Sequence, residues 1–271
     1  MASVASVCEA LEQCAPGRLA EDWDNVGLLV GDPRREVTRL MTCLTITPAS
    51  AAEAVEAGVE VIVTHHPLPF RELKRLTSET TAGRLLLQLI EAGIAVYSPH
   101  TALDSSERGI NQQLAEGIGL SNITPLRPLP DDIDQLGTGR VGELDPTLEL
   151  DQLAATVSRF LATGHSQVVG DPDKLIQRVA VACGSAGSLL DDARQAGCDV
   201  LVTGEARFHT CLEAEATGIA LVLTGHFASE RFALDQLARE LARQLPDVET
   251  FSSRQETDPI RWVLGEPGTS G

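Results

Sequence analysis

The sequence predicts an α/β protein of two α/β domains with mostly parallel strands, and three observations favour this class. Helical segments alternate with short apolar strands along the chain, as they do in α/β folds. The strands are branched and apolar on both faces, which is typical of parallel strands covered on both sides. An ionisable residue follows closely after several strands, and ligands of open parallel sheets bind at that edge.

One local unit occurs four times. In each unit a glycine ends a helix, a short apolar strand follows, and a histidine or glutamate comes just beyond the strand. The glycine suits the left-handed position that terminates many helices. All four ionisable side chains are therefore expected at the carboxyl edge of a sheet. The units begin at Gly58, Gly93, Gly197 and Gly218 and lead to His65, His100, Glu205 and His226.

The other elements follow from local signals in chain order. Residues 3–13 carry an apolar stripe at helical spacing, and Pro16 and Gly17 end that helix. Thr47 and Pro48 provide an N-terminal cap and a first-turn proline, so a second helix should begin there. Further strands are predicted at 40–45, 139–144, 167–170, 178–183, 248–252 and 260–264, and further helices at 148–162, 188–196 and 229–245.

Composition and charge argue against several classes of function. The 271 residues carry a formal net charge of −18, which repels phosphate backbones and anionic lipids. We therefore expect no membrane partner and no non-specific nucleic-acid binding, whereas a small anionic substrate is compatible if bound metal ions supply positive charge. The N-terminus lacks the features of a signal peptide, and no apolar run approaches the ~20 residues of a membrane span. The six cysteines are dispersed without C-x-x-C pairs, which indicates reduced thiols in a cytoplasmic protein.

The tripeptide His65-His66-Pro67 is the strongest single motif. Adjacent side chains of a strand point to opposite faces, so two neighbouring histidines can serve one region only where the strand stops. Pro67 cannot donate to a β-ladder and restricts His66, which predicts the end of the strand at this point. The pair could then bind two nearby metal ions. The alternative is a pair of turn histidines whose nitrogens bond to water.

Two further pairs place a histidine four residues before a carboxylate. His100 and Asp104, and likewise His226 and Glu230, would share one face if a helix begins at each histidine. Either pair alone could be a local cap or a surface hydrogen bond. Together with the histidine pair they predict a metal site, and nitrogen and oxygen ligands without thiolate suit Zn, Fe, Mn or Ni.

The predicted metal site leaves coordination positions open. Five protein ligands cannot fill the spheres of two divalent ions, and catalytic sites keep such vacancies. Glu230 could bridge two ions about 3.5–4 Å apart, as carboxylates do in two-metal hydrolases. The sequence therefore predicts two divalent ions per subunit and a hydrolase. The five ligands are His65, His66, Asp104, His226 and Glu230.

Other features have open alternatives. Glu205 could orient a metal ligand or act as a general base, and it could equally be a carboxylate at a helix N-terminus. For His209 the structural role is favoured. The turn at 184–187 could cradle a phosphate, but it lacks the established phosphate-loop patterns and is expected to be a plain tight turn. Trp23 and Trp262 are expected to be packing residues rather than stacking platforms.

The motifs resemble those of the Nif-three-like family, whose members are also called GTP cyclohydrolase I type 2 homologues. The matching set extends over about residues 21–230 and occurs in family order. One departure lies at Leu44-Thr45-Ile46-Thr47, where the family often has an aspartate in an L-D-x-T pattern. The matches are Asp24-Asn25-Val26-Gly27-Leu28, Thr64-His65-His66-Pro67, His100-Thr101 with Asp104, Thr203-Gly204-Glu205 with His209, and Gly225-His226 with Glu230.

The resemblance implies a dinuclear metal site between two α/β domains and a ring-like hexamer whose sites face an interior cavity. By motif matching, the same five residues are the metal ligands, and His100 and Glu205 are the nearby candidates for catalysis. A stretch rich in Pro, Gly and Asp at 126–148 indicates a crossover between the domains. We assign residues 1–126 plus 226–271 to a first domain that bears the metal ligands, and residues 127–225 to a second.

The leading hypothesis is a dinuclear metal-dependent hydrolase acting on a small-molecule substrate. Its more specific form is ring opening of a purine nucleotide, the GTP cyclohydrolase type. The alternative is a non-catalytic metal-binding assembly or regulatory interaction protein. A third hypothesis, a phosphate-binding module built on the turn at 184–187, predicts nucleotide binding that survives chelation.

Overall fold

The computed structural model describes residues 1–130, 132 and 136–261, and the predicted α/β class is confirmed. The helices are α1 Val4–Cys14, α2 Pro48–Ala57, α3 Thr81–Ala92, α4 His100–Ser105, α5 Ile110–Gly117, α6 Leu150–Phe160, α7 Leu190–Gln195, α8 Phe208–Thr217 and α9 His226–Gln244. The strands are β1 Ala2–Ser3, β2 Gly27–Val30, β3 Glu36–Val37, β4 Arg39–Cys43, β5 Val61–Thr64, β6 Ala95–Ser98, β7 Ser121–Thr124, β8 Arg127–Pro128, β9 Gly137–Thr138, β10 Arg140–Glu149, β11 Gln167–Val169, β12 Leu175–Ala182, β13 Val200–Thr203, β14 Ala220–Leu223 and β15 Glu249–Ser252.

Two larger sheets contain most of these strands. The first has the order β15-β4-β5-β6-β2, and its neighbours are parallel except for β2, which is antiparallel to β6. The second has the order β11-β14-β13-β12-β10-β7, in which only the pairs among β12, β13 and β14 are parallel. The second sheet is thus mixed. The described residues between β7 and β10 include no helix, and a connection without a helix is typical of an antiparallel pair.

The local signals predicted for helix ends are present in the structure. Thr47 accepts a hydrogen bond from the backbone of Ser50 and caps α2, and Pro48 occupies the first turn. The glycines predicted in the left-handed conformation have φ angles of 65° at Gly58, 70° at Gly93, 70° at Gly197 and 76° at Gly218. The strands that follow them, β5, β6, β13 and β14, are buried along their whole length.

Alternate residues of these buried strands pack against helices on opposite faces. In the first sheet, Val63 belongs to the apolar cluster with α1 and α9, whereas Ile62 belongs to the cluster with α2 and α3. In the second sheet, Val202 packs with α5 and α6, whereas Leu201 packs with α7 and α8. Both sheets are therefore covered on two sides, which explains why their central strands lack a polar face.

Polar contacts connect the two sheets near α4 and α5. The backbone N–H of Cys183, just after β12, donates to Asn111 Oδ1 on α5 at 2.7 Å, and Asn111 Nδ2 donates to the carbonyl of Asp104 on α4 at 3.1 Å. Arg140 on β10 donates to the carbonyls of Ser105 and Ser106 at the end of α4. These bonds fix the position of α4 relative to the second sheet.

The division into two domains stays a prediction. Strand β7 precedes the expected boundary at residue 126, yet it pairs with β10 in the second sheet. The predicted strand at 260–264 extends into residues 262–264, which lie outside the described residues. Among the described helices, none is long and apolar enough to cross a membrane.

Candidate metal centre

Six ionisable side chains from three strand–helix junctions converge on one region. Two histidines follow β5, a histidine and an aspartate belong to α4 after β6, and a histidine and a glutamate belong to the start of α9 after β14. The centroid of the His65 ring lies 5.2 Å from that of His66 and 5.1 Å from that of His100, and the His66 ring lies 5.3 Å from that of His226. The five residues predicted as ligands and His100 are thus brought together, while their role as ligands stays a prediction.

The two adjacent histidines reach one site because the strand ends at Thr64 and the chain bends at both of them. The N–H of His65 donates to the carbonyl of Cys43 at 3.0 Å, and the N–H of His66 donates to the carbonyl of Leu44 at 2.9 Å. Both backbones are held by β4, and the two rings are inclined at 53° to each other. The pair therefore reaches neighbouring parts of one site, as the following Pro67 predicts.

Glu230 occupies the centre of the cluster. Its Oε2 lies 3.1 Å from His66 Nε2 and 3.2 Å from His226 Nε2, and these two nitrogens are 3.3 Å apart. Its Oε1 lies 3.9 Å from His65 Nε2. The two carboxylate oxygens therefore face different histidines. The ligand atoms of His66, His226 and Glu230 all lie within 4.8 Å of one another, so this group could hold a metal ion.

His65 supplies the test of whether a metal fits. Its side chain is completely buried, and neither ring nitrogen has a hydrogen-bond partner among the residues that the structure describes. Its Nε2 lies 3.6 Å from Asp104 Oδ1. Burial lowers the pKa of His65 to about 3, so the ring is neutral near pH 7 and has a free lone pair. An unpaired buried polar atom costs about 1–3 kcal/mol, and a metal ion at Nε2 would remove that cost.

Three of the histidines have their Nδ1 atoms held by oxygen atoms. His66 Nδ1 lies 2.6 Å from Thr45 Oγ1, His100 Nδ1 lies 2.7 Å from Asp24 Oδ1, and His226 Nδ1 lies 3.1 Å from Glu205 Oε1. Histidines that bind metals commonly use such a partner to fix the ring and leave the other nitrogen free. His66 and His226 thereby direct Nε2 towards Glu230.

Asp24 is a site residue to which sequence reasoning assigned no role. Besides His100, its Oδ2 accepts hydrogen bonds from the backbone and hydroxyl of Thr101, at 3.1 and 2.5 Å. Burial would raise the pKa of Asp24, but these bonds from His100 and Thr101 outweigh burial and lower it to about 2. Burial would lower the pKa of His100, but the bond to Asp24 outweighs that effect and raises it. The motif Asp24-Asn25 contained the signal, since its single carboxylate, that of Asp24, had no assigned partner.

The carboxylates of the buried Glu230 and the partly buried Asp104 influence each other. Burial and the nearby charge of Glu230 raise the pKa of Asp104. Burial acts in the same direction on Glu230, but hydrogen bonds from His226 and His66 outweigh it and lower the pKa of Glu230. Hydrogen bonding to Glu230 raises the pKa of His226 to about 9. Glu230 therefore keeps its negative charge at a buried position, which favours a cation beside it.

Glu205 precedes helix α8, and its Oε1 lies 3.1 Å from Nδ1 of His226. Of the alternatives for Glu205, the geometry favours orientation of a ligand. His209 is exposed in the first turn of α8, beside Phe208.

The glycine turn at 184–187 packs beneath Glu230. The N–H of Gly184 donates to Ser229 Oγ at 2.9 Å, and the N–H of Ala186 donates to Thr203 Oγ1 at 3.3 Å. Two of the N–H groups that a phosphate would need are therefore already bonded. A Cβ at Gly184 would come within 2.3 Å of Glu230 Oε1, so the glycine provides room for the carboxylate. This use of the turn supports its interpretation as a tight turn.

Trp23 differs from the sequence prediction. The residue is 65% exposed, and its ring centroid lies 6.1 Å from that of His100. The expectation that it packs in the interior is wrong, because its neighbour Asp24 turns inward to bond His100 and leaves the indole at the surface. Trp262 lies outside the described residues.

Comparison with known proteins identifies similar sequences and a similar fold. The sequence model of one family, described as Duf34/NIF3 (NGG1p interacting factor 3), matches residues 2–259. The chain is 36% identical over 267 residues to a GTP cyclohydrolase 1 type 2 homolog of Streptomyces coelicolor, covering 96% of this chain and 94% of that protein. It is 32% identical over 274 residues to NIF3-like protein 1 of Drosophila melanogaster, covering 97% and 90%. The fold is similar to the crystal structure of Staphylococcus aureus protein SA1388, with a TM-score of 0.89, 28% identity, and coverage of 97% and 99%.

Proposed function

This chain belongs to the Duf34/NIF3 family, as its motifs predicted, and we propose that it is a hydrolase that uses two divalent metal ions at the cluster around Glu230. The observation that carries the proposal is the placement of the two oxygens of this buried carboxylate towards different histidines. Bridging carboxylates have this arrangement in two-metal hydrolases. The names of the relatives support a narrower version, ring opening of a purine nucleotide of the GTP cyclohydrolase type.

The residues divide into two ligand groups around Glu230. His66 and His226 face one of its oxygens, and His65, with Asp104 beside it, faces the other. Nitrogen and oxygen donors without a thiolate suit Zn, Fe, Mn or Ni. When bound, such ions act as Lewis acids that polarise a substrate and lower the pKa of water.

The chain's own residues would then orient ligands and move protons. Glu205 holds the ring of His226 through Nδ1 and keeps Nε2 directed at Glu230. Asp24 holds His100 through Nδ1 and favours its protonated form, so the opposite nitrogen can donate a proton to a leaving group. We therefore assign His100 as the general acid and Glu205 as a positioning residue.

The experiment combines metal analysis with turnover. Purified protein is loaded with Zn, Fe, Mn or Ni in turn, supplied with GTP, and assayed for release of formate. Glu230→Gln should abolish turnover, whereas Glu240→Gln, a matched change on the same helix away from the cluster, should leave it intact. Absence of formate release with all four metals would exclude the cyclohydrolase version, and equal turnover of the two variants would exclude the proposed centre.

A second candidate is a metal-binding assembly or regulatory interaction protein without catalysis. The observation in its favour is an exposed apolar pair on α8, where Phe208 is 72% and Leu212 is 45% exposed at i, i+4 spacing. Such a pair is suited to a protein contact, and we propose that it contributes to a homohexamer. Analytical ultracentrifugation of Phe208→Ser would then show smaller species. This candidate would be favoured if the wild type shows no turnover and a variant loses its metal or its assembly.

A further inference from the structure

Two exposed aromatic side chains border the candidate metal centre. Trp23 is 65% and Phe70 is 52% exposed, and their ring centroids are 6.4 Å apart. Both rings meet His100 edge to face, at 6.1 Å for Trp23 and 6.0 Å for Phe70. We call Trp23 and Phe70 the aromatic wall. Large aromatic rings are normally buried or matched to a ligand because their burial is strongly favourable.

The aromatic wall is built by two segments that are tied together. Trp23 precedes Asp24, which bonds His100, and Phe70 follows the histidine pair by four residues. Asn25 Nδ2 donates to the carbonyl of Pro69 at 2.9 Å and so joins the two segments. The wall is therefore held at a fixed place beside His100.

The loop that follows Phe70 is basic, although the chain as a whole is strongly acidic. Between Phe70 and Arg75 the sequence carries three basic residues, Arg71, Lys74 and Arg75, and one acidic residue, and all of them are exposed. The whole chain has a net charge of −18, so this loop is a local reversal of sign. A ligand that contacts both features would combine a planar ring with negative charge.

We propose that the aromatic wall binds the planar ring of a nucleotide while the basic loop receives its phosphates. The inference rests on the proposed function and specifies the substrate class of the same site. Stacking orients the ring beside His100, the residue assigned as proton donor. Any base can stack on an aromatic side chain, because every base has a π-face. The aromatic wall therefore selects for a base, and the basic loop selects for the negative charge of the phosphates.

Tryptophan fluorescence tests the proposal directly. In the Trp262→Phe protein, Trp23 is the sole tryptophan of the chain. The Zn-loaded variant is titrated with GTP, ATP, CTP and UTP, and with inorganic tripolyphosphate as a ligand that has charge without a ring. At least one nucleotide should quench the Trp23 emission, and tripolyphosphate should not. If none of the four nucleotides changes the emission, the proposal is wrong.

Variants separate the ring from the charge. By calorimetry, Trp23→Leu should weaken binding of the nucleotide roughly 5- to 150-fold, as loss of one stacked base does, and leave tripolyphosphate binding unchanged. Trp23→Phe should restore most of the affinity. Replacing Arg71, Lys74 and Arg75 by glutamine should weaken both ligands. Equal losses of both ligands in Trp23→Leu would overturn the proposal. Unchanged nucleotide affinity together with altered sedimentation of Trp23→Leu would also overturn the proposal, because the aromatic wall would then be a subunit contact.

The outcome is independent of turnover. Binding that depends on Trp23 without formate release would leave the subsite correct and exclude the cyclohydrolase version of the proposed function. If Trp23→Leu keeps turnover and changes neither the nucleotide affinity nor the KM, the hydrolase proposal stays correct and the subsite is wrong. Metal content should equal that of the wild type in every variant of this series, since none of the changed residues belongs to the proposed ligand set.

Discussion

Thr45 Oγ1 lies 2.6 Å from Nδ1 of His66 and holds that ring at the centre of the cluster. Thr45 occupies a position at which the family pattern often has aspartate. In this chain a neutral hydroxyl therefore orients the His66 ring. Its own backbone is fixed in turn, because Glu256 accepts hydrogen bonds from the N–H groups of Leu44 and Thr45 at 3.0 and 2.8 Å. Thr45 therefore orients His66 without adding a negative charge beside it.

Removal of the Thr45 hydroxyl should weaken the metal centre without unfolding the protein. We expect Thr45→Val to lower metal affinity about 10- to 100-fold, the usual effect of deleting a group that orients a metal ligand. Thr45→Ser, which keeps the hydroxyl, should remain close to the wild type. Competition with a chromogenic chelator measures both affinities. Identical affinities in the valine and serine variants would show that the contact does not matter.

Gly184 offers a second way to disturb Glu230 from outside the ligand set. A Cβ in Gly184→Ala would come within 2.3 Å of Glu230 Oε1 and displace the carboxylate. The backbone at this glycine has a φ of 65°, so the alanine also costs about 1–2 kcal/mol of stability from the left-handed conformation alone. We expect reduced metal content per subunit, measured by elemental analysis.

Gly197→Ala is the matched control for this prediction. Its φ is 70°, and an added Cβ would meet nothing within 4 Å. In urea denaturation Gly197→Ala should lose only the stability that the left-handed backbone costs, and Gly184→Ala should lose at least as much, but Gly197→Ala should retain its metal. If the two variants bind equal amounts of metal, the close approach of Gly184 to Glu230 has no functional consequence.

Much of this centre could be predicted because its signals are local. A glycine, a buried strand and an ionisable residue occur together within a few positions, and the edge rule for parallel sheets then brings distant histidines to one place. The i, i+4 relation of His226 and Glu230 is equally local, and α9 begins at His226. Such patterns depend on backbone geometry that every α/β protein shares.

The supporting contacts could not be predicted, because they join residues that are far apart and chemically ordinary. Asp24 and His100 are separated by 76 positions and Thr45 and His66 by 21. A threonine or an aspartate in a loop has many possible partners, and only the packing of α4 against the turn before β2 selects one. The mixed pairing of the second sheet was missed for a similar reason, since strand direction depends on connections that composition does not define.

Arg140 shows how strongly such an unpredicted residue can contribute to the fold. It is 2% exposed, and its guanidinium donates to four backbone carbonyls and to Gln112 Oε1. Arg140→Met fills the space but leaves buried carbonyls unpaired. We expect a loss of about 3–5 kcal/mol in the free energy of unfolding, as when one partner of a buried charged network is removed.

An exposed arginine provides the comparison. Arg34, whose side chain is 87% exposed, pairs with Asp32 at the surface. Arg34→Met should change the stability by no more than about 0.5 kcal/mol, because surface substitutions of this kind are close to neutral. Urea denaturation followed by circular dichroism measures both variants. A small effect for Arg140→Met would mean that water replaces its bonds.

His65 makes a prediction in which metal stabilises the wild type much more than a variant that lacks this ligand. Without metal, the buried ring leaves both of its nitrogens unpaired within the described part of the chain. An apolar side chain of similar size removes that penalty, so metal-free His65→Leu should be as stable as the metal-free wild type or more stable, by up to about 3 kcal/mol. With metal at about 100 times its dissociation constant, the wild type gains about 2.7 kcal/mol from binding. The variant lacks one of the ligands and should gain much less. Thermal unfolding with and without a chelator compares the four states, and an equal increase in Tm on metal addition to both proteins would show that His65 does not bind the ion.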